Sequence, residues 1–171
     1  MDRYIDKIMS LSQTHETAEE MRAQGKRVVL ANGCFDLVHA GHISYLQDAK
    51  AQGDYLIVGL NSDASMREIK GPTRPIINEN DRALVLAAME VVDAVVLFDE
   101  PTCANLLETL HPDVHSKGTD YTAETVPERE VNERLGIKTY IAGAAKEEST
   151  KDIVKTIIQR YGPKQEEPAA Q

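Results

Sequence analysis

Only two cysteines occur in 171 residues, too few for a disulfide framework, and neither has the sequence-neighbouring Cys or His that a zinc site would show. No stretch approaches the ~20 apolar residues that cross a bilayer, and the N-terminal MDRYIDKIMSLSQTHETAEEMRAQGKR lacks the unbroken apolar segment of a signal peptide. Membrane insertion and export are therefore disfavoured, and a reducing, cytoplasmic setting is expected. Positive charge is also short: 19 Lys and Arg stand against 28 Asp and Glu, a formal net charge of −9. Proteins that wrap duplex nucleic acid draw affinity from Lys and Arg on phosphates, so nucleic acid is not an expected partner. The first turn lacks G-x-G-x-x-G, and Asn61 stands where a dinucleotide-binding fold would place an acidic residue, which excludes a nicotinamide dehydrogenase.

What is present is enough for a core: 42% of the residues are hydrophobic, and the length suits a single domain. We expect that domain over 1–161, with a helical extension over about 1–25 and a flexible Pro-, Glu- and Gln-rich tail over 162–171. The extension reads as helical over Asp2–Gln24 with a break near Ser10–Gln13. Apolar runs predict strands at Arg27–Ala31, Asp54–Leu60, Ala94–Phe98, near Val114 and at Lys138–Ala142. Helical patterns fall between them at Gly41–Gln52, Asp63–Ile69, Glu79–Met89, Thr102–Leu110 and Pro127–Leu135, with a last one at Thr150–Tyr161. Five strands alternating with helices specify a Rossmann-like, doubly wound parallel sheet in a three-layer α/β/α arrangement.

Ligands of such sheets bind beyond the carboxyl ends of the strands, where strand order reverses. The turn after the first strand reads Asn32-Gly-Cys-Phe-Asp-Leu-Val-His-Ala-Gly-His42. Gly33 permits a sharp exit from the strand, and His39 and His42, separated by small residues, sit where a helix begins. Two imidazoles and the unpaired N–H groups of a first helical turn can face one anion. Packing has no need of two polar rings there, and zinc would want more ligands than the turn supplies.

The run Gly-Cys-Phe-Asp-Leu-Val-His-Ala-Gly-His resembles the G-x-F-D-x-x-H-x-G-H signature of the nucleotidylyltransferase superfamily. The likeness extends over about 26–161 and includes Asn61-Ser-Asp63, Lys70-Gly-Pro-Thr-Arg-Pro75, Asp81-Arg82, Lys117-Gly-Thr-Asp-Tyr121 and Ser149-Thr150. Within the superfamily the chain is most similar to D-glycero-D-manno-heptose 1-phosphate adenylyltransferases, which occur fused to a kinase or as a separate chain. With 171 residues the separate form is expected. The resemblance implies transfer of AMP from ATP to the sugar phosphate with release of pyrophosphate, for lipopolysaccharide core or surface heptose precursors. ATP would arrive with Mg²⁺, held mostly by phosphates and water, so no permanent protein metal site is expected. A homodimer is also implied.

By that resemblance His39, His42 and Lys70 form the catalytic set. Gly33, Cys34, Phe35, Asp36, Gly41, Lys117, Gly118, Asp120, Ser149 and Thr150 line the nucleotide, with Lys117 near phosphate and Asp120 near ribose or base. Asn61, Asp63, Arg74 and Arg82 meet the second substrate. Each has a plainer reading: Asp36 as a turn residue that orients the loop, Arg82 as a helix-surface charge, Ser149 as a helix cap, Gly-Thr-Asp as a turn. Lys146 stands where many relatives carry arginine or a glycine-rich approach, and Glu147-Glu148 would repel phosphate unless turned away. A cytidylyltransferase acting on a small phosphorylated acceptor such as glycerol 3-phosphate, or a non-catalytic nucleotide-binding protein, are the alternatives. In all cases the cations should gather in one cleft, with the excess acid in the N-terminal helices, Glu124–Glu133 and the Glu166-Glu167 tail.

Overall fold

The computed structural model describes residues 4–144 and 149–162. After a 3₁₀ turn at Tyr4–Lys7 come β1 (Ile8–Met9), α1 (Leu11–Ala23), β2 (Val28–Gly33), α2 (Ala40–Lys50), β3 (Tyr55–Asn61), α3 (Asp63–Lys70) and α4 (Glu79–Ala87). They are followed by β4 (Ala94–Phe98), α5 (Ala104–Leu110), β5 (Val114–Gly118), α6 (Arg129–Leu135), β6 (Lys138–Ala142) and α7 (Thr150–Tyr161). The strands form one parallel sheet in the order β1-β4-β3-β2-β5-β6.

The sheet has six strands where five were expected. The additional one is β1, a two-residue edge that pairs Ile8 with Val95 and Met9 with Val96. Two residues are too few to show a strand pattern in sequence. Tertiary contacts hold it: Lys7 Nζ donates to the carbonyls of Met89 at 3.1 Å and Val92 at 2.7 Å. The expected break in the N-terminal helix falls here, and Ser10 caps α1 by accepting Gln13 N–H.

Successive strand side chains point to opposite faces. Val28 and Leu30 join Ile57, Ala94 and Val96 beneath α1 and α5, whereas Val29 and Ala31 join Leu56, Val58 and Val95 beneath α2 and α4. Both faces are covered, which is why the strands read as continuous apolar runs. Gly59 belongs to this packing, because a Cβ there would lie 2.7 Å from Leu106 Cδ1 on α5. From β2 the chain steps outward through β3 to β4, then returns to the other side of β2 for β5 and β6. The reversal therefore lies at the end of β2, where the histidine-bearing turn emerges.

Candidate active site

A cleft of about 560 Å³ opens beyond the strand ends at this reversal. Its tight turn is built by two residues. Phe35 takes a left-handed backbone (φ 46°) and buries its ring, stacking on Tyr45 with centroids 6.3 Å apart. Gly33 makes room for that ring, since a Cβ there would sit 3.0 Å from Phe35 Cε2. The unusual backbone angle thus falls on Phe35 rather than on the glycine.

His39 is the N-cap of α2, and its Nδ1 accepts Gly41 N–H at 3.2 Å. His42 Nδ1 in turn accepts His39 N–H at 3.3 Å, and the ring centroids are 4.1 Å apart. A ring nitrogen that accepts carries no proton, so each neutral imidazole bears its hydrogen on Nε2. The backbone therefore fixes both tautomers as Nε2–H donors, and small Ala40 and Gly41 leave the helix start uncovered for an anion.

Asp36 is buried and turned to the neighbouring loop. Its Oδ1 accepts the N–H groups of Ile76 and Ile77, both at 2.9 Å, and Oδ2 pairs with Arg74 at 3.0 Å. The carboxylate fastens the Lys70–Pro75 loop against the turn, the orienting role, and engages part of the Arg74 charge. Lys70 lines the cleft with no ion-pair partner among the described residues. It also lines an adjoining cavity of about 370 Å³ between this loop and α7, with Arg74, Lys151, Val154, Lys155 and Ile158.

Two expected substrate contacts lie elsewhere. Arg82 is 1% exposed and does not line the cleft. Its guanidinium donates to the carbonyls of Ile77 (2.9 Å), Cys34 (2.5 Å) and Asn61 (2.9 Å), and to Asp63 Oδ1 at 2.7 Å. Arg82 and Asp63 tie three loops together and neither lines the cleft where the second substrate was expected; Arg82 is enclosed rather than the helix-surface charge of its plainer reading. Asn61 stays on the wall, its amide donating to Ser65 Oγ (2.9 Å) and Glu100 O (3.3 Å) while Oδ1 faces the Cys34 thiol at 3.8 Å. Burial pushes that thiol above its ordinary range.

The remaining expected residues, Gly41, Lys117, Gly118, Asp120, Ser149 and Thr150, all line the cleft. Ser149 caps α7: its hydroxyl accepts Asp152 N–H at 3.3 Å and donates to Asp152 Oδ2 at 2.5 Å. Lys146, Glu147 and Glu148, and the tail beyond Gly162, lie outside the described residues.

Sequence reasoning missed several participants. Lys151 follows the Ser149-Thr150 pair and lines both cavities; its place in a helical first turn was the available signal. Asp48, near the end of α2, accepts Tyr140 O–H at 3.0 Å and Gly143 N–H at 2.8 Å and so grips the loop leading to α7. Beneath Lys117 lie Cys103, His115 and Glu128, whose possible metal-ligating atoms fall within 4.8 Å of one another although they are distant in sequence. Those atoms are engaged. His115 Nε2 meets Asn32 Oδ1 at 3.1 Å and Cys103 Sγ at 3.4 Å, Asn132 Nδ2 meets His115 Nδ1 at 3.0 Å, and Glu128 pairs with Lys117 at 3.1 Å. Burial, with the Lys117 charge beside it, lowers His115 to about 4 and keeps it neutral. Burial would raise Glu128, but the Lys117 charge and the Cys103 N–H outweigh it and hold the carboxyl below its ordinary range.

Comparison with known proteins matches residues 30–163 to the cytidylyltransferase-like family model. The chain is 46% identical over 158 residues to "Bifunctional protein HldE" of Syntrophotalea carbinolica, covering 92% of this chain and 32% of that protein. It is 51% identical over 141 residues to the protein of the same name from Geobacter sulfurreducens, covering 82% and 29%. The chain thus spans less than a third of the length of these relatives. Among solved structures, the lipopolysaccharide core biosynthesis protein from Thermoplasma volcanium GSS1 superposes with a TM-score of 0.61 at 33% identity, over 72% of this chain and 100% of that one.

Proposed function

The chain belongs to the cytidylyltransferase-like family, and from that premise we propose that it transfers AMP from ATP to D-glycero-D-manno-heptose 1-phosphate, yielding ADP-heptose and pyrophosphate. The observation that carries this reading is the His39/His42 pair, two Nε2–H donors set by backbone hydrogen bonds at the uncovered start of α2. An oxygen of the sugar phosphate attacks the α-phosphorus and the pyrophosphate oxygen departs. Negative charge crowds on the transferring group, so prepositioned donors lower the barrier. His39 and His42 donate to the phosphate oxygens as that charge builds, and Lys70 adds a cation from the opposite loop. No general base is required, because the attacking phosphate is already ionised at neutral pH.

The residues present fit a magnesium ion carried in on the nucleotide: of the carboxylates lining the cleft, Asp36 and Glu128 pair with Arg74 and Lys117 and Asp120 is the third, so phosphate oxygens and water would supply most of its ligands. When bound, the ion supplies neutralisation of phosphate charge.

The heptose acceptor follows from the sequence resemblance and accords with the name of the Thermoplasma volcanium neighbour, a lipopolysaccharide core biosynthesis protein, and the Rossmann-like reading of the sheet is supported by its β4-β3-β2-β5-β6 order. A single catalytic domain over 1–161 and a cytoplasmic enzyme belong to the same reading; no helix among the described residues is long and apolar enough to cross a membrane. So does a homodimer, supported by the apolar stripe on α7, where Ile157, Ile158 and Tyr161 are 49%, 63% and 81% exposed. Pyrophosphate release, measured with ATP and with CTP against heptose 1-phosphate, tests the assignment. Turnover with ATP is expected, and turnover with CTP but none with ATP overturns it.

A further inference from the structure

Lys117 reaches the cleft with its charge already met. Its ammonium, on a residue 6% exposed, lies 3.1 Å from Glu128 Oε2 and donates to Asn32 Oδ1 at 3.3 Å. Glu128 is 3% exposed and stands just ahead of α6, and its Oε1 accepts Cys103 N–H at 3.2 Å. Oε2 has no hydrogen-bond partner and depends on the Lys117 charge. A carboxylate buried this deeply is costly without a cation facing it, so the two groups require each other. Asn32 is held in turn: with Asn132 Nδ2 directed at His115 Nδ1, the ring's Nε2–H donates to the same Asn32 oxygen. An ammonium has three N–H groups. One of them is directed to Asn32 while the charge faces Glu128 Oε2, and the ammonium borders the cleft beside the Tyr121 ring, whose centroid is 5.1 Å from Nζ. His39, His42, Lys70 and Lys151 line the same cleft from the start of α2, the end of α3 and the first turn of α7. The cleft is therefore electrically divided.

We infer that Glu128 is a positioning residue that neutralises Lys117, so that the β5 wall takes an uncharged, hydroxyl-bearing part of the ligand while the phosphates are directed to the His39, His42 and Lys70 wall. The inference rests on the reading of the cleft as a nucleoside triphosphate site, and it departs from the placement of Lys117 at phosphate that the sequence resemblance implied.

The test is the affinity of the full-length chain for inorganic pyrophosphate, by titration calorimetry with ATP competition, in the wild type, E128Q and K117M/E128Q. Uncovering the ammonium in E128Q is expected to tighten pyrophosphate binding about tenfold. It should also lower kcat and KM for ATP together, the mark of non-productive binding, which a purely structural role would not produce. Removing both partners should leave pyrophosphate affinity within about twofold of wild type. Should E128Q fail to fold, the double variant decides alone: a loss of about tenfold or more there makes Lys117 a phosphate ligand and overturns the inference. Unchanged affinity in a folded E128Q also overturns it. A wild-type protein that binds neither ATP nor pyrophosphate overturns the reading of the cleft itself.

Discussion

Replacing Arg82 with methionine separates a substrate ligand from a structural tie. The guanidinium makes three bonds to backbone carbonyls and one to a carboxylate, at 2.5–2.9 Å, inside a site that is 1% exposed. Hydrogen bonds to a charged group contribute about 1.5–3 kcal/mol each, and four of them would give a gross figure well above any net effect. Asp63 keeps 23% side-chain exposure and can regain water, so its share of the loss is small. The carbonyls of Cys34 and Asn61 close the ends of β2 and β3 and have less freedom to do so. Methionine fills much of the volume without supplying a donor, so we expect a loss near the low end of the roughly 3–5 kcal/mol seen when a buried pair is broken. For a chain of this size that corresponds to a fall in Tm of about 6–15 °C. Urea unfolding followed by circular dichroism, with the slope checked for two-state behaviour, measures it. A loss below about 1 kcal/mol, accompanied by a raised KM for the sugar phosphate, would refute the structural assignment and restore Arg82 as a ligand.

Alanine at His39 or His42 should lower kcat by about two or more orders of magnitude with the fold intact, as removal of a preorganised transition-state donor does; near-normal turnover in both variants sinks the role given to them. Asp36→Asn should loosen the Lys70–Pro75 loop and raise KM for nucleotide more than it lowers stability, checked by steady-state kinetics beside thermal melts. Gly33→Ala should cost about 1–3 kcal/mol, because the new methyl would sit 3.0 Å from the Phe35 ring, which is packed against Tyr45 and His42; a neutral result in chemical denaturation would contradict it. His115 is held neutral down to about 4 from an ordinary 6.5, so the unfolded chain binds the extra proton between those values. Its contribution is therefore complete above pH 6.5 and is lost as pH falls towards 4, at about 1 kcal/mol per pH unit; His115→Gln should flatten that limb of the stability curve.

The alternation of strands and helices was readable because β2, β3 and β4 are almost wholly buried and read as apolar runs, and even the edge strand β6, exposed at Lys138 and half-buried beyond it, follows a helix and a turn. β1 was not, since its two residues owe their pairing to Lys7 and to the edge of β4 rather than to any pattern of their own. The His39 to His42 turn announced itself because two polar rings beside small residues have no packing use. Arg82 misled for the opposite reason: a charged residue at the start of a helix looks solvent-facing, and only the convergence of three loops shows that it is enclosed. Glu128 gave no signal, because an acidic residue at a helix start needs no other explanation than the helix dipole. The pairing of Cys103 with His115 depends on neighbouring elements that meet only after folding.

Helix α2 acts as a spacer of fixed length. At one end it aims His39 and His42, and about 9 Å further along, six residues at 1.5 Å each, Asp48 clasps Tyr140 and Gly143. Inserting a single residue between those points would turn one end by about 100° against the other. Changes that reshape the cleft therefore have their freedom in loops such as Thr119–Pro127, where length can vary without moving the histidines relative to the chain that leads into α7.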